Sequence, residues 1–116
     1  MVGQHKVVPN GIEIVALLPN PQGDDAGREQ ITLSNSAKES VDLTGWKLMD
    51  KAGNVFVLSG TAKPGAPLVI TMTEAMVPLN NDGDEILLLD AAGVGRSQVS
   101  YAGSQAKSGI VVRFDK

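Results

Sequence analysis

The feature that most constrains this chain is its punctuation. Short apolar runs are set apart by stretches rich in Gly, Pro, Asn and Asp, and none of the runs reaches helical length. Ile12–Leu18 begins with alternation and ends more apolar, and reads as a first strand. Residues 19–27 hold Pro19, Pro21, Gly23 and Gly27, a loop that neither helix nor strand could occupy. In Glu29–Asn35, Ile31 and Leu33 fall on one face and Gln30, Thr32 and Ser34 on the other, the period of a half-buried strand. Val41 and Leu43 precede Thr44, Gly45 and Trp46, and the same reasoning predicts strands at Trp46–Asp50, Asn54–Leu58, Pro67–Met72, Glu85–Asp90, Ser97–Tyr101 and Ile110–Phe114. The one helical candidate, Thr73–Val77, is stopped within a turn by Pro78. An all-β sandwich or barrel of about eight to nine short strands is the expected class.

Composition narrows the chemistry. At 116 residues the chain is expected to form one domain, with a core over about residues 12–114. It has only four aromatic residues, Trp46, Phe56, Tyr101 and Phe114, so Val, Leu, Ile and Ala must fill that core. Without cysteine it can hold no disulfide, thiol nucleophile or thiolate metal site. With His5 alone, no His-pair metal motif is possible. The net charge of −3 and scattered Lys and Arg argue against nucleic-acid binding by this unit. No apolar stretch approaches the roughly 18–20 residues of a membrane span. Met1–Val8 lacks the apolar core of a signal peptide. Two readings of that terminus stay open: a complete cytosolic protein, or one module of a longer chain whose signal lies outside these residues. The second is the expectation, and it would place the module outside the cell or at its surface.

One local repetition has a mechanism. Leu48–Gly53 and Leu88–Gly93 share the pattern apolar–x–Asp–x–Ala–Gly, with Asp50 and Asp90 at the third position. Asp at the first and Gly at the fourth position of a turn suit type I geometry, and the Asp side chain can accept amides just ahead of it. Turn residues are therefore expected at Asp50 and Asp90 rather than acids or metal ligands. Gly45 before Trp46 suits a turn entering a strand. Trp46 is expected to bury on the order of 150–250 Å² between two sheets. Tyr101 shares a face with Val99 and is expected at the sandwich edge. Glu29 is expected to accept backbone amides and brace residues 19–21.

The ordered set of these residues resembles the lamin tail domain family, in a bacterial or archaeal-type member. The match runs through Pro19, Asn20 and Pro21, then Glu29, Ile31, Leu33 and Asn35, then Val41, Leu43, Gly45, Trp46, Leu48 and Asp50. It continues with Gly53, Pro64 and Gly65, then Asn80, Gly83, Asp84, Ile86, Leu88, Asp90, Gly93, Val99 and Tyr101. Gln30 stands where the family often has an aromatic residue, and Gly95 where it more often has an apolar one. The resemblance implies an immunoglobulin-like β-sandwich and a binding or scaffolding role without catalysis or cofactor. It also implies attachment to a larger secreted or surface protein, such as a hydrolase or nuclease. The partner, a protein or a surface, is not specified, and the chain alone is expected to be a monomer. Trp46, Gly45, Glu29, Asn35, Asp50, Gly83, Asp84, Asp90 and Tyr101 are the structural residues it marks.

A second reading uses the acidic loops. Calcium takes six to eight oxygen ligands, and Asp24, Asp82 and Asp84 are the candidates, although their spacing is not that of a calcium loop. With Tyr101 as a stacking surface, the same loops would make a calcium-dependent or carbohydrate-binding module. A glycosidase would need paired carboxylates in a cleft lined by aromatic residues, which four aromatics do not build. Gly93–Gln98 has no phosphate-loop Lys. An enzyme is not expected.

Overall fold

The computed structural model describes residues 7–18, 30–51, 53–71, 83–102, 104 and 111–114. The predicted helical turn Thr73–Val77 lies outside them. Ten strands follow one another: β1 (Ile12–Leu18), β2 (Gln30–Asn35), β3 (Val41–Asp42), β4 (Lys47–Met49), β5 (Val55–Val57), β6 (Thr61–Ala62), β7 (Leu68–Thr71), β8 (Gly83–Leu89), β9 (Gly95–Ala102) and β10 (Val112–Arg113). Antiparallel pairing arranges them as two four-stranded sheets, β10-β1-β2-β7 and β5-β4-β8-β9, with β3 and β6 forming a small third pair. The fold is an immunoglobulin-like β-sandwich, built without a helix among the described residues. β3 and β6, two residues each, are the strands that periodicity did not predict.

The core is where the alternating positions meet. Ile12, Ile14 and Leu17 of β1, Ile31 and Leu33 of β2, Leu48 of β4, and Ile86 and Leu88 of β8 are nearly inaccessible to water. They form one cluster with Leu43, Trp46, Leu58, Val99, Tyr101 and Val112. Aliphatic side chains dominate it, so β-branched and leucine packing supplies the area that aromatics would otherwise bury.

A bulge explains why β1 alternates and then stops alternating. Ile14 stands opposite Leu33, but Ala16 stands opposite Thr32, so Val15 is the extra residue. Past it the inward phase moves by one position, and Leu17 meets Ile31. The bulge also redirects two backbone groups. Val15 C=O accepts from the amide of Phe114 at 2.9 Å. The Ile14 amide donates to Oγ of Ser97 at 3.1 Å, deep inside the protein. Ser97 lies on β9, so that bond ties the two sheets together. With β9 held to β1, the sheet orders leave β5 and β7 on the opposite flank of the sandwich. There the inward-facing Phe56, Leu68 and Ile70 are only partly buried against the core.

Candidate functional site

Each carboxylate marked in the sequence and described here is engaged by the backbone around it. Asp50 is buried. Its Oδ1 accepts the Asn54 amide at 2.8 Å and its Oδ2 the Asn54 side-chain amide at 2.8 Å. The Asp50 carbonyl accepts from Gly53 at 3.1 Å, and the Asp50 amide donates to the Asn54 carbonyl at 3.1 Å. With Gly53 at φ 92°, this is a hairpin turn closed by a left-handed glycine. Asp90 repeats the design: Gly93 donates to its carbonyl at 2.9 Å, and its Oδ1 accepts from Ala92 and Val94, both at 2.9 Å. Gly93 has φ 85°. The two Asp-x-Ala-Gly segments are therefore the same turn in two hairpins, β4–β5 and β8–β9.

Asp90 has one further partner. Its Oδ2 takes Nε of Arg96 and pairs with Nη2, both at 2.9 Å. Arg96 is the bulged residue of β9, between Leu89 opposite Gly95 and Leu88 opposite Ser97. Its Nη1 donates to the carbonyl of Val8 at 3.0 Å, and the Val8 amide donates to Gly95 at 2.8 Å. A parallel bridge between Val7 and Gly95 completes this junction of the N-terminal segment with β9. The Val94 amide, with Arg96 and Ala92 adding to it, holds the Asp90 carboxyl below its ordinary range. Asp42 is lowered too, by the hydroxyl and then the amide of Thr44. Its Oδ1 accepts them at 2.7 and 2.9 Å.

Asp84 is buried, and its Oδ1 accepts from the amides of Lys51 at 3.1 Å and Glu85 at 2.8 Å. It thereby joins the start of β8 to the β4–β5 turn. Gly83 before it has φ 113° and pairs with Ala102. Asn35 is 2% exposed and saturated: its Nδ2 donates to the carbonyls of Glu39 and Ala62, both at 2.9 Å, and its Oδ1 accepts from Ala37 at 2.8 Å. Those bonds bind the end of β2 to the following turn and to β6.

Trp46 is 5% exposed within the core cluster. Its amide donates to Leu43 at 2.9 Å, and its carbonyl accepts from Leu58 at 2.7 Å. Gly45, between them, has φ 85°, which a side chain would disfavour. Tyr101 is likewise buried, opposite Asp84 in the β8–β9 ladder. Glu29, Asp24 and Asp82 lie outside the described residues, as does His5. Of the calcium candidates only Asp84 is described. Among the described residues no group of three or more His, Cys, Asp and Glu is placed to hold a metal. No helix among them is long and apolar enough to cross a membrane.

A different kind of site stands at the flank. Among the described residues β5 is the outermost strand of its sheet. The bonded pairs Trp46–Leu58 and Asp50–Asn54 fix the phase of its ladder with β4. Antiparallel alternation then makes Leu48–Phe56 the bonded pair between them, with Lys47–Val57 and Met49–Val55 unbonded. The backbone N–H and C=O groups of Val55 and Val57 therefore point away from β4. Their side chains are 40% and 59% exposed. Sequence reasoning marked neither valine, because a period of two shows which face a residue takes but not which strand ends at an edge. Ser97 and Arg96 were missed for a related reason: their partners, Ile14 and Val8, are 83 and 88 residues away.

No curated protein matches the chain in sequence. The sequence model of the lamin tail domain matches residues 7–103. That span takes in β1 through β9, both repeated turns, Asn35, Trp46 and Tyr101, and on it the chain belongs to the lamin tail domain family.

Proposed function

We propose that the chain is a non-catalytic attachment module, accessory to a larger secreted or surface protein, that holds a protein partner at an open sheet edge. The family is one of immunoglobulin-like binding and scaffolding domains. The observation that carries the reading is the division of polar groups. The described carboxylates Asp42, Asp50, Asp84 and Asp90 each accept amides within the fold. These four side chains thus serve turns and ladders. Meanwhile β5 offers main-chain donors and acceptors beside exposed valines, which is what strand addition requires.

Fractionation of the source cells, read with an antibody to this chain, tests the reading. The expected result is a surface or secreted species heavier than 12.1 kDa. A cytosolic species of that mass would refute the accessory role.

A further inference from the structure

We propose that β5 is the edge that accepts the partner, and that the partner is an extended segment of alternating β-branched residues bounded by acidic ones. The inference rests on the attachment reading and names the surface and the chemistry it would use.

Three observations converge on β5. Its outward N–H and C=O groups at Val55 and Val57 form two consecutive repeats of an unpaired ladder, and an added strand bonds to such repeats. Both of its faces offer apolar contact. Val55 and Val57 are exposed on the outside, while Phe56 faces inward and is only partly buried. An added strand would set its apolar alternate positions against Phe56, extending the core, and β-branched residues at the intervening positions would cover the valines on the other face.

Charge selects the ends of that strand. The β4–β5 hairpin carries Lys47 and Lys51, both exposed, with Lys47 directly opposite Val57. The one carboxylate between them, Asp50, is buried and taken up by Asn54. Asp84, beside Lys51, is buried as well, so the exposed charges of this hairpin are its two lysines. Lysine beside an edge also discourages pairing with a second copy of the same edge. An acidic strand meets complementary charge, and another β5 does not.

The test uses two synthetic peptides of alternating valine and threonine, one ending in glutamate and the other in lysine. Each is titrated into the isotope-labelled full chain while its amide resonances are followed. The glutamate-ended peptide is expected to shift the Val55 and Val57 amides saturably and to bind about tenfold more tightly than the lysine-ended one. Val57→Pro removes an outward N–H that β4 does not use, so the hairpin tolerates it. Its expected effect is a loss of binding of about tenfold or more at an unchanged unfolding midpoint. Should that variant fail to fold, the double variant Lys47→Glu, Lys51→Glu carries the test, by inverting the preference between peptides.

Three results would overturn the assignment: no edge amide moving with either peptide, the largest shifts falling at Val69 and Thr71 of β7, or concentration-dependent dimerisation through β5. The second would leave attachment at a sheet edge standing and move it to the other sheet. A cytosolic free chain in the fractionation experiment would remove the accessory role without touching the peptide result.

Discussion

Replacing Asn35 with alanine should be among the most damaging polar substitutions in this protein. The side chain makes three bonds from a site that is 2% exposed. The bond to the Ala62 carbonyl is fully buried, whereas those to Glu39 and Ala37 are only partly so. The Ala62 carbonyl keeps the Val41 amide opposite it as its ladder partner, so the substitution forfeits three hydrogen bonds of about 0.5–1.5 kcal/mol each rather than stranding a carbonyl. The expected loss is thus about 2–4 kcal/mol, a large part of the 5–15 kcal/mol typical of a domain. Urea unfolding at neutral pH measures it. With an m-value of about 1–3 kcal/mol/M the midpoint should fall by about 1–2 M at constant m.

Asn35→Asp sharpens the test. It keeps the shape but presents a carboxylate to two carbonyls, so burial and repulsion raise its folded pKa above the unfolded value. A group with a raised folded pKa favours the native state at low pH and loses that contribution as pH rises. Asn35→Asp should therefore be least stable at neutral pH and recover toward pH 4. A loss within about 0.5 kcal/mol for Asn35→Ala, the range of an ordinary surface change, would refute the three-bond account. So would an Asn35→Asp variant whose deficit does not change with pH.

Other predictions follow from the same geometry. Trp46→Ala should cost about 3–5 kcal/mol in the same unfolding assay, and a loss well under 1 kcal/mol would indicate a surface tryptophan. Ser97→Ala leaves the buried Ile14 amide without its acceptor and should cost about 1–3 kcal/mol, with the amide exchange of Ile14 accelerated. Asp42 and Asp90 have folded pKa values below their ordinary 3.8, so the stability they add is complete above that value and disappears as pH falls through the lowered ones. Asp90→Asn should flatten the acid limb of a stability–pH curve below pH 3.8, and an unchanged limb would count against the Arg96 and Val94 contacts.

Strands were legible wherever one face alone was buried. Ile31 and Leu33 alternate with Gln30, Thr32 and Ser34, and β2 follows that pattern residue by residue. The repeated Asp-x-Ala-Gly was legible for a different reason: turn geometry is local, and each Asp reaches amides within four residues. β3 and β6 were not legible, because two residues apiece give no period to detect. Nor was the sheet-to-sheet bond of Ser97, because a serine in a strand looks solvent-facing until a bulge in β1 aims an amide at it. The family match marked Asn35, but periodicity alone would have made it an ordinary strand end. The β5 edge was hidden most completely. Strand order is a property of the assembled sheet, and Val55 and Val57 read in the sequence as residues of any strand.

Amide hydrogen exchange across β5 tests the central claim most directly, since the attachment edge exists only if the ladder alternates as described. The Phe56 and Leu58 amides point into β4 and should exchange slowly, with Leu58 bonded to Trp46 at 2.7 Å. Val55 and Val57, on the same short strand, should exchange at close to the rate of an unstructured peptide. Equal protection at all four amides would mean that the outer edge of β5 is already occupied, and the account of a free attachment edge would be wrong.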